Sequence, residues 1–237
     1  MTSSSSSYPK VFQQLEKKLA STKLGEDKWY ILATSALVAS PDPESVANVY
    51  SYLISQPRYS TSDARKALVR RVREALVKAI SVVGVCKPIE AVIAISKLER
   101  DEDKDFSCSR ENWHNDEANR EQGMAHLRRV HQQNIGPTLD LFNAHKDFRL
   151  ISTDITYGLY LSDRSILNDV ETQLVTLPCI MMQNLPNETH WHIRGTRRIG
   201  VSKEDVQTIW DCIQMVAVFT GVKLTKVPTP ESVESDV

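Results

Sequence analysis

The stretch Glu171–Gly200, ETQLVTLPCIMMQNLPNETHWHIRGTRRIG, decides how this chain folds. It opens as an apolar helix, with Leu174–Met182 as its longest apolar run. It breaks at a Pro-containing turn around Pro186 and resumes as a second helix carrying His192. His192 lies 19 residues after Gln173, and Arg194-Gly195 follows it. Two helices and a turn, with no strand pattern between them, point to an all-α architecture.

Working outward, the rest of the chain carries the same signature. Only 8 glycines occur, and apolar residues recur with helical rather than alternating spacing. Amphipathic or apolar helices are expected over Val11–Leu19, Trp29–Ala39 (stopped by Ser40-Pro41-Asp42-Pro43), Glu44–Ser55 and Asp63–Val83. Gly84 ends the fourth of these, and Pro88 suits the first turn of the next, Ile89–Leu98. Glu99–Arg110, ERDEDKDFSCSR, is a charged interruption expected to form a solvated loop. Helices are expected again over about Asn115–Gln133, Pro137–Ala144, Ile151–Leu161 and Lys203–Phe219, the last capped by Ser202 with Asp205. One domain over residues 11–226 is expected, with halves of about 11–98 and 111–226. Disordered tails are expected at 1–10 and 227–237. Val72–Cys86 resembles Val206–Val222, and each closes on a glycine, Gly84 and Gly221, which hints at related halves.

Bulk properties narrow the function classes. With 29 basic and 30 acidic residues the formal charge is −1, so no global field favours nucleic acid or an anionic membrane. No apolar run approaches the roughly 20 residues needed to span a bilayer. The four cysteines, Cys86, Cys108, Cys179 and Cys212, are scattered without metal or disulfide spacing, which fits a reducing compartment. The opening MTSSSSSYPK lacks the apolar core of a secretory signal. Its serines resemble those of a transit peptide only loosely, and no arginine precedes Arg58. A cytoplasmic location is the expectation, with mitochondrial or peroxisomal placement left open. The basic cluster Arg65, Lys66, Arg70, Arg71 and Arg73 is expected on a solvated helix face.

The layout of Gln173, His192 and Gly195 resembles the alkyl hydroperoxidase D-like/carboxymuconolactone decarboxylase superfamily, most closely its fungal members. The resemblance is firm over Tyr157–Lys223 and looser back to Trp29. It implies a helical bundle with two related halves, a homo-oligomer, and a pocket around the histidine. The peroxidase branch places a Cys-x-x-Cys pair seven and four residues before that histidine. Here those positions hold Leu185 and Glu188, so dithiol peroxidase chemistry is not expected. Gln173 stands where that branch puts a proton-shuttling glutamate; an amide hydrogen-bonds but does not titrate. Glu171, two residues earlier on the helix, is expected to be an exposed first-turn acid.

His192 is the candidate acid–base residue, because imidazole titrates near neutrality and can move a proton at carbon. Gln173 is expected to orient substrate beside it. His190, Trp191, Arg197 and Arg198 are candidate substrate contacts, the arginines as a fork for a carboxylate. Trp191 equally suits packing, and the arginines equally suit a helix C-terminus. His190 and His192 face opposite sides of a helix, and His126 and His131 are five apart, so neither a metal nor a cofactor is expected. Two functions remain open. One is a cofactor-independent, lyase-type enzyme acting on a small carboxylated or lactone metabolite. The other is a non-catalytic oligomeric scaffold or ligand-binding protein that kept the fold.

Overall fold

The computed structural model describes residues 8–237, and every regular element among them is helical. Helix α1 (Tyr8–Ala20) is followed by α2 (Trp29–Ala39), α3 (Val46–Ile54), α4 (Ser62–Val83) and α5 (Cys86–Ser96). Then come α6 (Glu117–His131), the short α7 (Ile135–Asp140) and α8 (Lys146–Leu150), and a π-helix over Ile151–Leu161. The chain closes with α9 (Asp169–Met181), α10 (Pro186–Arg198), α11 (Lys203–Thr220) and the one-turn α12 (Pro230–Val233). No described helix is long and apolar enough to cross a membrane.

Helix α2, WYILATSALVA, is buried at all eleven positions, so it is apolar all round and sits centrally. It packs on α4 and α9, with α1, α3 and α11 around it. Fully burying side chains such as Trp29, Leu32 and Leu37 contributes about 1.5–3 kcal/mol each. Both α4 and α11 end at a glycine with positive φ, Gly84 at 80° and Gly221 at 74°, a conformation other residues adopt only under strain.

Two segments depart from the expected loops and tails. Residues 99–110 are pinned to α4 rather than solvated. Buried Asp103 accepts from Arg65 at 2.6 and 2.9 Å, Asp105 from Arg70 and Arg73, and Arg110 donates to Glu74 at 2.7 and 2.8 Å. The arginine cluster is therefore the counter-surface of an acidic strap, and Arg71 bonds Glu171 at 2.6 Å. Sequence reading missed this because the pairing runs between residues 30 to 100 positions apart. The C-terminal segment 227–237 is also not a disordered tail. Thr229 caps α12, Val233 is fully buried, and Glu234 is held by Arg197 at 2.8 and 3.0 Å. At the other end, Tyr8–Lys10 belong to α1, while residues 1–7 of the expected N-terminal tail lie outside the described residues.

The segment Ile151–Leu161 is a π-helix rather than the expected α-helix, with Ser162 N–H bonded five residues back to the Tyr157 carbonyl at 2.9 Å. Such wide turns are rare and concentrate at functional positions. Lys78 holds its end: the fully buried amine donates to the carbonyls of Tyr160, Leu161 and Asp163 at 2.7–3.2 Å. Helix α6 lies directly on the π-helix backbone at Gly123. A Cβ there would stand 2.4 Å from the Thr153 carbonyl oxygen and 2.8 Å from the Gly158 nitrogen. Those are backbone atoms, so the two helices would have to separate. Gly123→Ala should cost about 1–3 kcal/mol, read as a lower urea midpoint, despite alanine's better helix propensity. An unchanged or raised midpoint would show that α6 has slack there.

Candidate functional site

The turn between α9 and α10 is built by Asn184 and Pro186. Asn184 takes a left-handed conformation (φ 58°), and Pro186 occupies the first turn of α10, where its missing N–H costs nothing. Helix α9 starts on a reciprocal cap between Asn168 and Glu171. Glu171 is accordingly not an exposed acid: it is buried, paired with Arg71 and 3.9 Å from Lys28.

This hairpin brings Gln173 and His192 together, Oε1 to Nδ1, at 3.0 Å. An amide oxygen only accepts, so Nδ1 carries the ring proton and Nε2 keeps the lone pair. No described side chain hydrogen-bonds Nε2, and His192 lines a cavity of about 250 Å³. Burial, with His131 and His126 adding to it, pushes His192 down to about 3, so the imidazole is neutral at pH 7.

The wall beside His192 comes from α6 and the π-helix. His131 stands edge-on to His192, ring centroids 6.2 Å apart, and its Nε2 lies 3.0 Å from the Tyr157 hydroxyl. Both residues line the cavity. Burial and the charges of Arg194 and Arg198 lower His131 to about 4, and burial raises Tyr157, so both are neutral. His126, pushed to about 3 mainly by burial, lies behind Tyr157, ring centroids 5.8 Å apart. Buried Leu139 and half-buried Ile135, Thr138 and Phe142, from the otherwise largely exposed 132–150 segment, close one side. Leu185 and Glu188 form an exposed rim, where desolvation raises the Glu188 carboxyl. No lysine or arginine lines this space.

The other expected contacts divide. Trp191 does line the cavity. His190 points elsewhere, 2.7 Å from Asp236, as its position on the opposite helix face requires. Arg197 is committed to Glu234 and the Val201 carbonyl, and Arg198 to the His131 carbonyl and Asn134. Neither arginine is placed to grip a substrate in this cavity; both tie α10 to its neighbours. Sequence reading overlooked Tyr157, His131 and Glu188. Glu188 was legible in principle, one helical turn before His192. Tyr157 and His131 meet only because Gly123 lets α6 approach. Among the described residues no group of three or more His, Cys, Asp or Glu side chains could hold a metal ion.

All four cysteines are free thiols, Cys86 and Cys108 exposed and Cys179 and Cys212 buried. Cys179 is buried and donates to the Ser35 carbonyl at 3.3 Å, and burial raises it well above the usual thiol range. Burial raises Cys212 to about 12. Thiolate, not thiol, attacks peroxide. With Leu185 and Glu188 at the positions of the redox pair and two of the four thiols held protonated by burial, dithiol-dependent peroxide reduction should be absent in a coupled thiol assay; turnover abolished by Cys86→Ser or Cys179→Ser would overturn that expectation.

No family model, curated protein or solved structure matches this chain.

Proposed function

We propose that this chain is a bundle of the peroxidase D-like/carboxymuconolactone decarboxylase type, and that it performs cofactor-independent, lyase-type acid–base chemistry on a small lactone or other neutral carbonyl metabolite. One observation carries the reading. His192 is held by Gln173 in a single tautomer, with its basic nitrogen free and lining a cavity that is largely apolar. An open pocket around a free basic nitrogen supports chemistry over a scaffold, whose core would be filled. The cavity also narrows the substrate class. Without a lining cation, a carboxylate would enter undercompensated, whereas a lactone carbonyl needs only hydrogen bonds. His192 takes or returns the proton at carbon, and Gln173 fixes the ring.

The test is proton exchange. In deuterium oxide the protein should speed deuterium uptake at the carbon next to the carbonyl of small lactones and ketones, followed by NMR. No acceleration with any compound small enough to enter would sink the reading.

The proposal includes a homo-oligomer. Val85, Ile89, Val92 and Ile93 leave an apolar stripe exposed along α5, with Leu98 and Phe106 (90% exposed) near its end. Light scattering at micromolar concentration should give a mass well above the 26.8 kDa of one chain; a monomer mass would refute it.

A further inference from the structure

We infer that Tyr157 is a second catalytic residue of this cavity, its hydroxyl donating to the substrate carbonyl oxygen, with His131 as the residue that aims it. The inference rests on the acid–base reading above and assigns the group that must complement His192.

The bond between His131 Nε2 and the Tyr157 hydroxyl, 3.0 Å long, joins two residues that both line the cavity. Either partner could be the donor, so the tautomer of His131 decides what Tyr157 has left to give. Nδ1 of His131 is buried and has no hydrogen-bond partner. Arg194 and Arg198 lie close enough for their charge to act on this ring, and Arg198 bonds the His131 carbonyl at 2.6 Å. A proton on Nδ1 would be both unsatisfied and repelled by those cations; a lone pair there is attracted to them. The neutral ring therefore carries its proton on Nε2 and donates it to Tyr157. The tyrosine oxygen accepts, and its own O–H remains to be given. No described residue accepts it, so the cavity is where it can go.

The floor thus presents two groups of opposite kind: an acceptor, Nε2 of His192, and a donor, the Tyr157 hydroxyl. That pair fits a carbonyl compound losing a proton from the adjacent carbon. His192 Nε2 takes the proton, the C–H electrons become the C=C bond of the enolate, and the carbonyl π electrons move onto oxygen. The oxygen is met by the Tyr157 O–H. Preorganised donors aimed at such an oxygen supply much of the catalysis in enzymes of this kind. The forming enolate also offsets the imidazolium, whose charge the buried site otherwise opposes. The π-helix is part of the device, since its wider turn sets where Tyr157 stands relative to Leu161 and Thr156 on the same wall.

The probes are 4-nitrophenol, ionised at the assay pH, and nitrobenzene, its neutral relative without the oxyanion. Nitrobenzene should bind the wild-type protein and Tyr157→Phe equally. The phenolate should bind the wild type about 10–100-fold more tightly than Tyr157→Phe, the range for one hydrogen bond to a charged group. Its visible band should lie at shorter wavelength in the wild type, as a hydrogen-bonded phenolate, and move to longer wavelength in the variant. His131→Leu should give an intermediate loss for phenolate and none for nitrobenzene. Equal phenolate affinity and band position in wild type and Tyr157→Phe would overturn the assignment. Should Tyr157→Phe not fold, the wild-type band alone decides, because a phenolate band at the unsolvated position means that no donor reaches it. Failure of nitrobenzene to enter the wild-type protein would instead overturn the cavity as a ligand site, and the assignment with it.

Discussion

His192→Gln should lower turnover, or carbon-bound proton exchange, by about 10²–10⁴-fold while the melting temperature stays close to that of the wild type. The factor is what a positioned acid–base group typically contributes. Glutamine is nearly the same length and keeps an N–H that can reach the Gln173 oxygen, 3.0 Å from Nδ1 in the native protein. Packing is thus retained while the lone pair facing the cavity is lost. His190→Gln is the control: two residues away on the same helix, it bonds Asp236 on the outer side and should leave turnover unchanged. The pH profile adds an independent readout. Because His192 titrates at about 3, kcat/KM should show no acid limb near 6.5, the usual histidine value. Equal turnover in His192→Gln and wild type would make the histidine a structural hydrogen-bonding group and remove the case for chemistry at this site.

Helix period and breakers carried most of the fold into view, because both are local. Trp29–Ala39 is found with its expected limits, and Lys203–Thr220 differs from expectation by one residue, each bounded by residues that cap or stop a helix. The Gln173–His192 pair was visible as a spacing, since two helices joined by a short turn must pack side by side. What stayed hidden depends on distant partners. Acidic residues at 99–110 look solvated until the α4 arginines 32–38 positions earlier are folded against them. The tail looks disordered until Val233 is buried and Glu234 meets Arg197. Arg197 and Arg198 suggested a carboxylate fork, yet each is already occupied by protein. Tyr157 carried no signal at all, because a π-turn has no composition of its own and the residue matters only through α6. Local pattern reads elements; the site is made by contacts between them.

Below pH 6.5 the protein should lose stability steeply, and three histidines set the slope. His126, His131 and His192 are pushed to about 3, 4 and 3, principally by burial. In the unfolded chain each titrates near 6.5. Depressed values mean that the folded state refuses protons the unfolded state accepts, so stability is full above pH 6.5 and falls as pH drops toward 4. Each group contributes up to about 1.4 kcal/mol per pH unit in that window, and three together approach about 4. Between pH 6.5 and 5 that comes to about 6 kcal/mol, a large share of a typical total of about 5–15 kcal/mol. Glu188, raised by desolvation, acts in the opposite sense, but it is one exposed group against three buried ones. Asp103 and Asp105, held down by Arg65 and Arg70, add to the loss only at lower pH, below the ordinary carboxylate range. Urea titrations at pH 7.5, 6 and 5 read the effect directly. His192→Gln removes one of the three groups and should flatten the slope by about a third, since glutamine cannot take up the proton. A urea midpoint that holds steady from pH 7.5 to 5 would mean that these imidazoles accept protons in the folded state, and that the cavity is wetter and more open than its buried histidines require.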